Sequence, residues 1–284
     1  MSSFLPPVLT IAGSDNSAGA GAQADLKTIS ALGGYGLTAI TCIVAEVPGK
    51  VSMIQAVEPA VVAEQIRLLF GAFPVAGVKT GMLYSREIIE AVVSTLDEGL
   101  ARTSPRPALV VDPVMIATSG DPLLKPEAME LYREALLPRA TLATPNLDEA
   151  GVLLGEPIPD LAALRAAGPH LVARYGTAFL LKGGHLRSAT ATDLLFLLDG
   201  SVHEYSAPFV PGVATHGTGC TYSAAIATGL AHGLDLPSAV GAAKRYLSRA
   251  ITDFLRWPGA GGPTDALHHF ASVTSPLAPA PTSP

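Results

Sequence analysis

Leu109-Val110-Val111-Asp112-Pro113 is an unbroken apolar run closed by an acid and a proline. Apolar residues at consecutive positions, not alternate ones, describe a strand buried on both faces. That is the habit of a parallel sheet covered by helices on each side. Proline then stops the strand, because it has no N–H to give to a neighbour. Working outward, Val8–Ala12, Thr38–Ala45, Gly77–Thr80, Leu142–Thr144 and Phe179–Lys182 read the same way. Helical spacing fills the intervals, as in Val62, Ile66, Leu69 and Phe70, or Ile88, Ile89, Val92, Val93 and Leu96. The alternation predicts an α/β fold with a mostly parallel central sheet and helices on both faces. Asp193–Leu198 and Val202–Ser206, joined by Asp199-Gly200-Ser201, predict a small β-hairpin added to it. Helices over Cys220–His232 and Pro237–Phe254 are expected to close one domain over residues 1–271. The Pro/Ala/Ser-rich segment 272–284 is expected to be a disordered tail.

Composition narrows the class of function. The 284 residues are 49% hydrophobic, enough for a full core, and the net charge of −6 comes without any basic block to grip nucleic acid. No apolar run reaches the roughly 20 residues of a membrane span, and Met1–Thr10 lacks the pattern of a signal peptide. Two cysteines make no disulfide framework. A soluble, cytoplasmic protein acting on a small molecule is the expectation.

In open parallel sheets ligands bind beyond the carboxyl ends of the strands, and the polar residues gather there. Asp112 ends one strand, Asn146 and Glu149 follow another, and Lys182 ends a third before Gly183-Gly184. The run Thr215-His216-Gly217-Thr218-Gly219-Cys220 leads into a small-residue helix. Its glycines let successive backbone N–H groups converge at a positive helix end, a site for phosphate. The same field would favour a thiolate at Cys220, able to accept a proton near neutral pH. Each feature also has a plain reading. Asn146 with Glu149 has the spacing of a capping box, Asp112 could accept loop hydrogen bonds, and Lys182 could reach solvent. Their convergence on one sheet edge favours phosphoryl transfer, with Mg²⁺ on Asp112 and Glu149 and with Lys182 neutralising phosphate. Gly19-Ala20-Gly21-Ala22-Gln23-Ala24 matches a dinucleotide-binding GxGxxA. Its glycines come too late after the first strand, with Ser14–Ala18 intervening.

Several segments together resemble the hydroxymethylpyrimidine/phosphomethylpyrimidine kinases of the ribokinase-like superfamily. They are Leu9-Thr10-Ile11-Ala12-Gly13-Ser14-Asp15, Gln23-Ala24-Asp25-Leu26-Lys27-Thr28, Val111-Asp112-Pro113-Val114-Met115, Thr144-Pro145-Asn146-Leu147-Asp148-Glu149-Ala150, Lys182-Gly183-Gly184-His185 and His216-Gly217-Thr218-Gly219-Cys220-Thr221. The resemblance implies ATP-dependent phosphorylation of 4-amino-5-hydroxymethyl-2-methylpyrimidine and then of its monophosphate, in thiamine biosynthesis, by a homodimer. It implies Cys220 as the base, with Gly217, Thr218 and Gly219 as the anion hole. Glu46 would pair with the aminopyrimidine, with Asp25, Gly13 and Met82 around the ring. Asn146, Lys182, Gly217 and Gly219 would hold ATP, and Asp112 and Glu149 the Mg²⁺. The sequence departs from the family's usual pattern at Val47-Pro48-Gly49, at Asn16 and Ala18, and at Thr118. Relatives that phosphorylate pyridoxine or pyridoxal are the alternative. Val114–Leu124 and Pro208–Thr215 are the candidate lids.

Overall fold

The computed structural model describes residues 5–115, 124, 126–184, 189–213, 216–259 and 262–271. Thr118, His185, Thr215, the tail 272–284 and most of the first candidate lid lie outside them. Nine strands form one sheet: β1 (Pro7–Asp15), β2 (Tyr35–Val47), β3 (Lys50–Ala56), β4 (Gly77–Thr80), β5 (Ala108–Val111), β6 (Leu142–Ala143), β7 (Ala178–Lys182), β8 (Thr190–Phe196) and β9 (Val202–Pro208). Their order is β3-β2-β1-β4-β5-β6-β7-β8-β9. Pairing is parallel from β2 through β7, and β3, β8 and β9 are antiparallel to their neighbours. The expected β8–β9 hairpin is therefore present at one edge.

The apolar runs divide between two cores because successive side chains leave a strand on opposite faces. Leu9, Ile11, Leu109, Val111, Phe179 and Leu181 face α2 (Pro59–Ala72), α3 (Arg86–Arg102), α4 (Pro126–Leu131), α5 (Leu147–Leu154) and α6 (Leu161–Tyr175). Val8, Val110, Leu142 and Leu180 face α1 (Gly21–Ala31), α7 (Thr218–Ala231) and α8 (Leu236–Thr252). Each fully buried Leu or Ile contributes roughly 1.5–3 kcal/mol. Helix α3 illustrates how local signals agree. Ser85 caps it by accepting from the Ile88 N–H, and the buried stripe Ile88, Ile89, Val92, Leu96, Leu100 recurs at helical spacing.

Strand β3 was not expected. Pro48-Gly49 turns the chain back, with Gly49 at φ +83°, and β3 pairs antiparallel to a β2 that runs longer than the expected Thr38–Ala45. Mostly exposed along its length, β3 carries no apolar run to announce it. A two-stranded pair, β10 (Leu255–Trp257) and β11 (Thr264–Ala266), follows α8.

The strand order reverses at β1, with β2 on one side and β4 on the other. Such a switch point opens a crevice at the carboxyl edge. Under it lies a buried ion pair. Lys79 Nζ on β4 is 2.7 Å from Asp25 Oδ2 on α1, which also accepts from the Thr10 hydroxyl at 2.5 Å. Both side chains are 0% exposed. Removing one member of such a pair strands the other charge and costs about 3–5 kcal/mol, whereas replacing both by apolar groups is far less harmful. Lys79→Met should therefore lower the urea midpoint by that equivalent, and Lys79→Met with Asp25→Leu should recover most of it.

Candidate active site

The carboxyl ends of β1, β2, β4, β5 and β7 border a cleft of ≈580 Å³. Gly13, Val44, Glu46 and Met82 line one end, and Asp112, Asn146, Glu149 and Lys182 line another part. The loop from His216 to Cys220 joins these regions. Gly217, the N-cap of α7, has φ +81°. A Cβ there would overlap the Gly19 carbonyl oxygen, so only glycine lets this loop lie against the first loop. At Gly219 a Cβ would stand 3.3 Å from Lys182 Nζ and 3.4 Å from Asp112 Oδ2. The N-terminus of α7 thus lies beside the lysine and the carboxylate, a position suited to an anion.

Asp112 is nearly fully buried but well supplied with donors: Lys182 Nζ at 3.1 Å, the Thr144 hydroxyl at 3.0 Å and the Ser223 hydroxyl at 3.2 Å. Burial works to raise its carboxyl, but Lys182 and Lys79 outweigh this and hold it below the usual range. Glu149 goes the other way. Burial pushes it up to about 7, with Lys182 opposing and Asp112 reinforcing the rise. Lys182 stays charged, because the two carboxylates outweigh its burial. The capping box is also real. Asn146 N–H donates to Glu149 Oε2 at 2.8 Å, and Glu149 N–H to Asn146 Oδ1 at 2.9 Å. One glutamate therefore caps α5 and faces the cleft.

Two expectations change. Cys220 is not a ready thiolate: burial pushes its thiol up to about 11, against the pull of Lys79 and a hydrogen bond from the Gly21 N–H. Desolvation of the charged form outweighs both here. Asp25, expected beside the ring, is not at the cleft surface, because α1 presses it onto β1 and β4 as the partner of Lys79. The structure brings Gly13, Glu46, Met82, Asp112, Asn146, Glu149, Lys182, Gly217, Thr218, Gly219 and Cys220 to one cleft.

Two of the departures lie in the first loop. Asn16 Oδ1 accepts from the Glu46 N–H at 2.7 Å, tying the loop to β2. Ala18 sits at φ +58°, a left-handed conformation that favours glycine.

The sequence-level reading passed over other lining residues. Lys244, Leu247, Ser248 and Ile251 form one stripe of α8 that lines the cleft, as do Phe209 and Val210. Their i, i+3, i+4, i+7 spacing was legible, but a core helix has the same spacing. Lys244 Nζ is 2.7 Å from Asp193 Oδ2, and Asp193 Oδ1 accepts from the Gly183 N–H at 3.1 Å. This links α8 to the turn after Lys182. His216 and Asp15 were likewise missed as a pair, since 201 positions separate them.

The phosphomethylpyrimidine kinase family pattern matches residues 15–265. The chain belongs to the phosphomethylpyrimidine kinase family. It is 46% identical over 265 residues to the hydroxymethylpyrimidine/phosphomethylpyrimidine kinase of Rhizobium meliloti, covering 92% of this chain and 96% of that one. It is 45% identical over 245 residues to a thiamine biosynthesis bifunctional protein of Geobacter sulfurreducens; this spans 86% of the chain but only 49% of that longer relative. Among solved structures, an ADP complex of Bacillus subtilis pyridoxal kinase superposes with a TM-score of 0.82 at 32% identity, covering 93% of this chain and 98% of that one. Within this kinase family's fold the matched stretch runs from Asp15, the last residue of β1, to Asp265 in β11. No helix among the described residues is long and apolar enough to cross a membrane.

Left-handed alanine costs roughly 1–2 kcal/mol, more than the extra unfolded-state freedom of glycine. Ala18→Gly is expected to raise stability by about 0.5–1 kcal/mol, read as a higher denaturation midpoint with unchanged denaturant slope.

Proposed function

We propose that this kinase transfers the terminal phosphoryl group of ATP to 4-amino-5-hydroxymethyl-2-methylpyrimidine and then to its monophosphate, in thiamine biosynthesis. The observation that carries the reading is the single cleft in which Glu46 lies at one end and Lys182, Asp112 and the α7 N-terminus at another. The identity to the kinase of Rhizobium meliloti, 46%, exceeds the 32% to pyridoxal kinase, which supports the pyrimidine over the B6 vitamers.

In this reading the substrate hydroxyl oxygen, or for the monophosphate one of its phosphate oxygens, bonds to the terminal phosphorus as the bond to the ADP oxygen breaks. The N–H groups of Gly217, Thr218 and Gly219, with Lys182, stabilise charge on the phosphoryl oxygens. Asn146 lies beside the phosphates, and the stripe of α8, with Phe209 and Val210, takes the nucleoside. Mg²⁺ fits the donor set, because Asp112 and Glu149 are hard oxygen ligands, and the burial that pushes Glu149 up to about 7, with Asp112 adding to it, is what a bound cation would offset. Held by these carboxylates, the ion would neutralise phosphate charge. The working form is proposed to be a cytoplasmic homodimer with residues 1–271 as one unit. Exposed Ile43, Val47 and Met53 on the β2–β3 hairpin support an apolar contact between copies.

Cys220 is proposed as the base, acting through the minor thiolate form that Lys79 and the Gly21 N–H stabilise. A positioned base contributes roughly 10²–10⁴ in rate. Cys220→Ala should keep ATP binding and cut kcat by that factor, and kcat of the unaltered enzyme should climb with pH across the neutral range. Near-normal turnover in the variant would exclude the role. Parallel assays with hydroxymethylpyrimidine, its monophosphate and pyridoxal test the substrate. Turnover of both pyrimidines with pyridoxal slow is the expected pattern, and preference for pyridoxal would overturn it.

A further inference from the structure

Glu46 belongs to a three-group cluster that the phosphoryl-transfer chemistry leaves unused. Donor atoms of Asp15, Glu46 and His216 lie within 4.8 Å of one another. Such spacing suits a cation, but Asp15 is already committed. Its Oδ2 accepts from Gly19 N–H, Ala20 N–H and His216 Nε2, and its Oδ1 accepts from Ser17 N–H. The cluster is better described as two carboxyls and an imidazole sharing charge.

The sharing is uneven. Burial works to raise Asp15, but His216, Ser17 and the backbone donors hold it well below the ordinary range. Its hydrogen bond raises His216, against burial, and the charges of Asp15 and Glu46 add to that rise. Asp15 and His216 therefore form a nearly neutral pair. Glu46 is the surplus acid, raised by burial and by Asp15, with His216 opposing. Its other neighbours do little to hold it ionised. Cys42 and Val44 flank it on β2, β3 offers Val51 and the exposed Lys50, and Met82 follows β4. Cys42 is a neutral thiol, pushed up to about 11 by burial.

We propose that Glu46 reads the heterocycle as a neutral carboxylic acid. Its O–H donates to a ring nitrogen and its carbonyl oxygen accepts from the adjacent amino group. This deepens, and rests on, the pyrimidine reading. An aminopyrimidine edge places an acceptor beside a donor, and a protonated carboxyl offers the complementary pair, as an amide does. A carboxylate accepts only, and would set its lone pairs against the ring nitrogen. Above the titration of free Glu46, binding the ring must therefore take up one proton from solvent. A ring without the adjacent nitrogen and amino group gains no such fit.

The test is calorimetric titration of the full chain with hydroxymethylpyrimidine at pH 8, in two buffers of different ionisation enthalpy. Uptake approaching one proton per ring is expected for the unaltered protein, and none for Glu46→Gln, which keeps a donor and an acceptor. In turnover, KM for the pyrimidine should rise about tenfold per pH unit on the alkaline side and stay flat in Glu46→Gln. A carboxylic-acid infrared band should be present in the unaltered complex and absent in the variant. Binding without proton uptake, uptake that persists in Glu46→Gln, or a protonated-ring absorbance in the complex would each overturn the inference alone. Failure of both proteins to bind the pyrimidine while pyridoxal is turned over would instead remove the substrate reading, and this inference with it.

Discussion

The contact of Gly217 with the Gly19 carbonyl is the constraint on which the cleft depends. It allows the N-terminus of α7 to lie against the loop leaving β1, with no side chain between them. Once the two loops touch, Asp15 and His216 meet across 201 positions of sequence. Gly21 N–H reaches Cys220, and Gly219 comes to rest beside Lys182 and Asp112. A methyl group at Gly217 would separate the anion site from the first loop, and Asn16 would carry Glu46 away with it.

Charge is distributed over the floor of this cleft in pairs that burial makes consequential. Lys79 with Asp25, Lys182 with Asp112, Lys244 with Asp193 and His216 with Asp15 each bring opposite charges together at the edge or beneath it. In low dielectric such pairs are sensitive to any added charge. Burial raises the two carboxyls left over, Glu149 and Glu46, and the neighbouring acids Asp112 and Asp15 add to that rise. One lies beside Lys182 and Asp112 and the other beside Asp15 and His216, in different parts of the cleft.

The conformational details bear on the family's departures in different ways. Asn16 has a clear use, holding the Glu46 backbone, whereas Ala18 is tolerated at a cost in a left-handed position. Val47-Pro48-Gly49 forms the end and turn of a hairpin, and Glu46 keeps its place in the strand before it. The altered residues therefore change how the first loop and the hairpin are held, while Glu46 keeps its place on the cleft.

Much of this was legible before folding was considered. Unbroken apolar runs such as Leu109–Val111 gave the buried parallel strands. The acids, amide and lysine at their carboxyl ends gave most of the cleft, because strand polarity alone brings these ends to one edge. Strand β3 was not legible, since an exposed edge strand needs no apolar pattern. Nor were the protonation states, which depend on distance and desolvation that no local spacing encodes. The sequence by itself determined the class of fold, the family and the chemical groups at the sheet edge. Only the tertiary structure decided that Asp25 is a buried counter-charge, that Cys220 rests as a thiol, and that His216 belongs to Asp15. These are properties of neighbours far apart in the chain, and packing alone sets their separation from one another and from water.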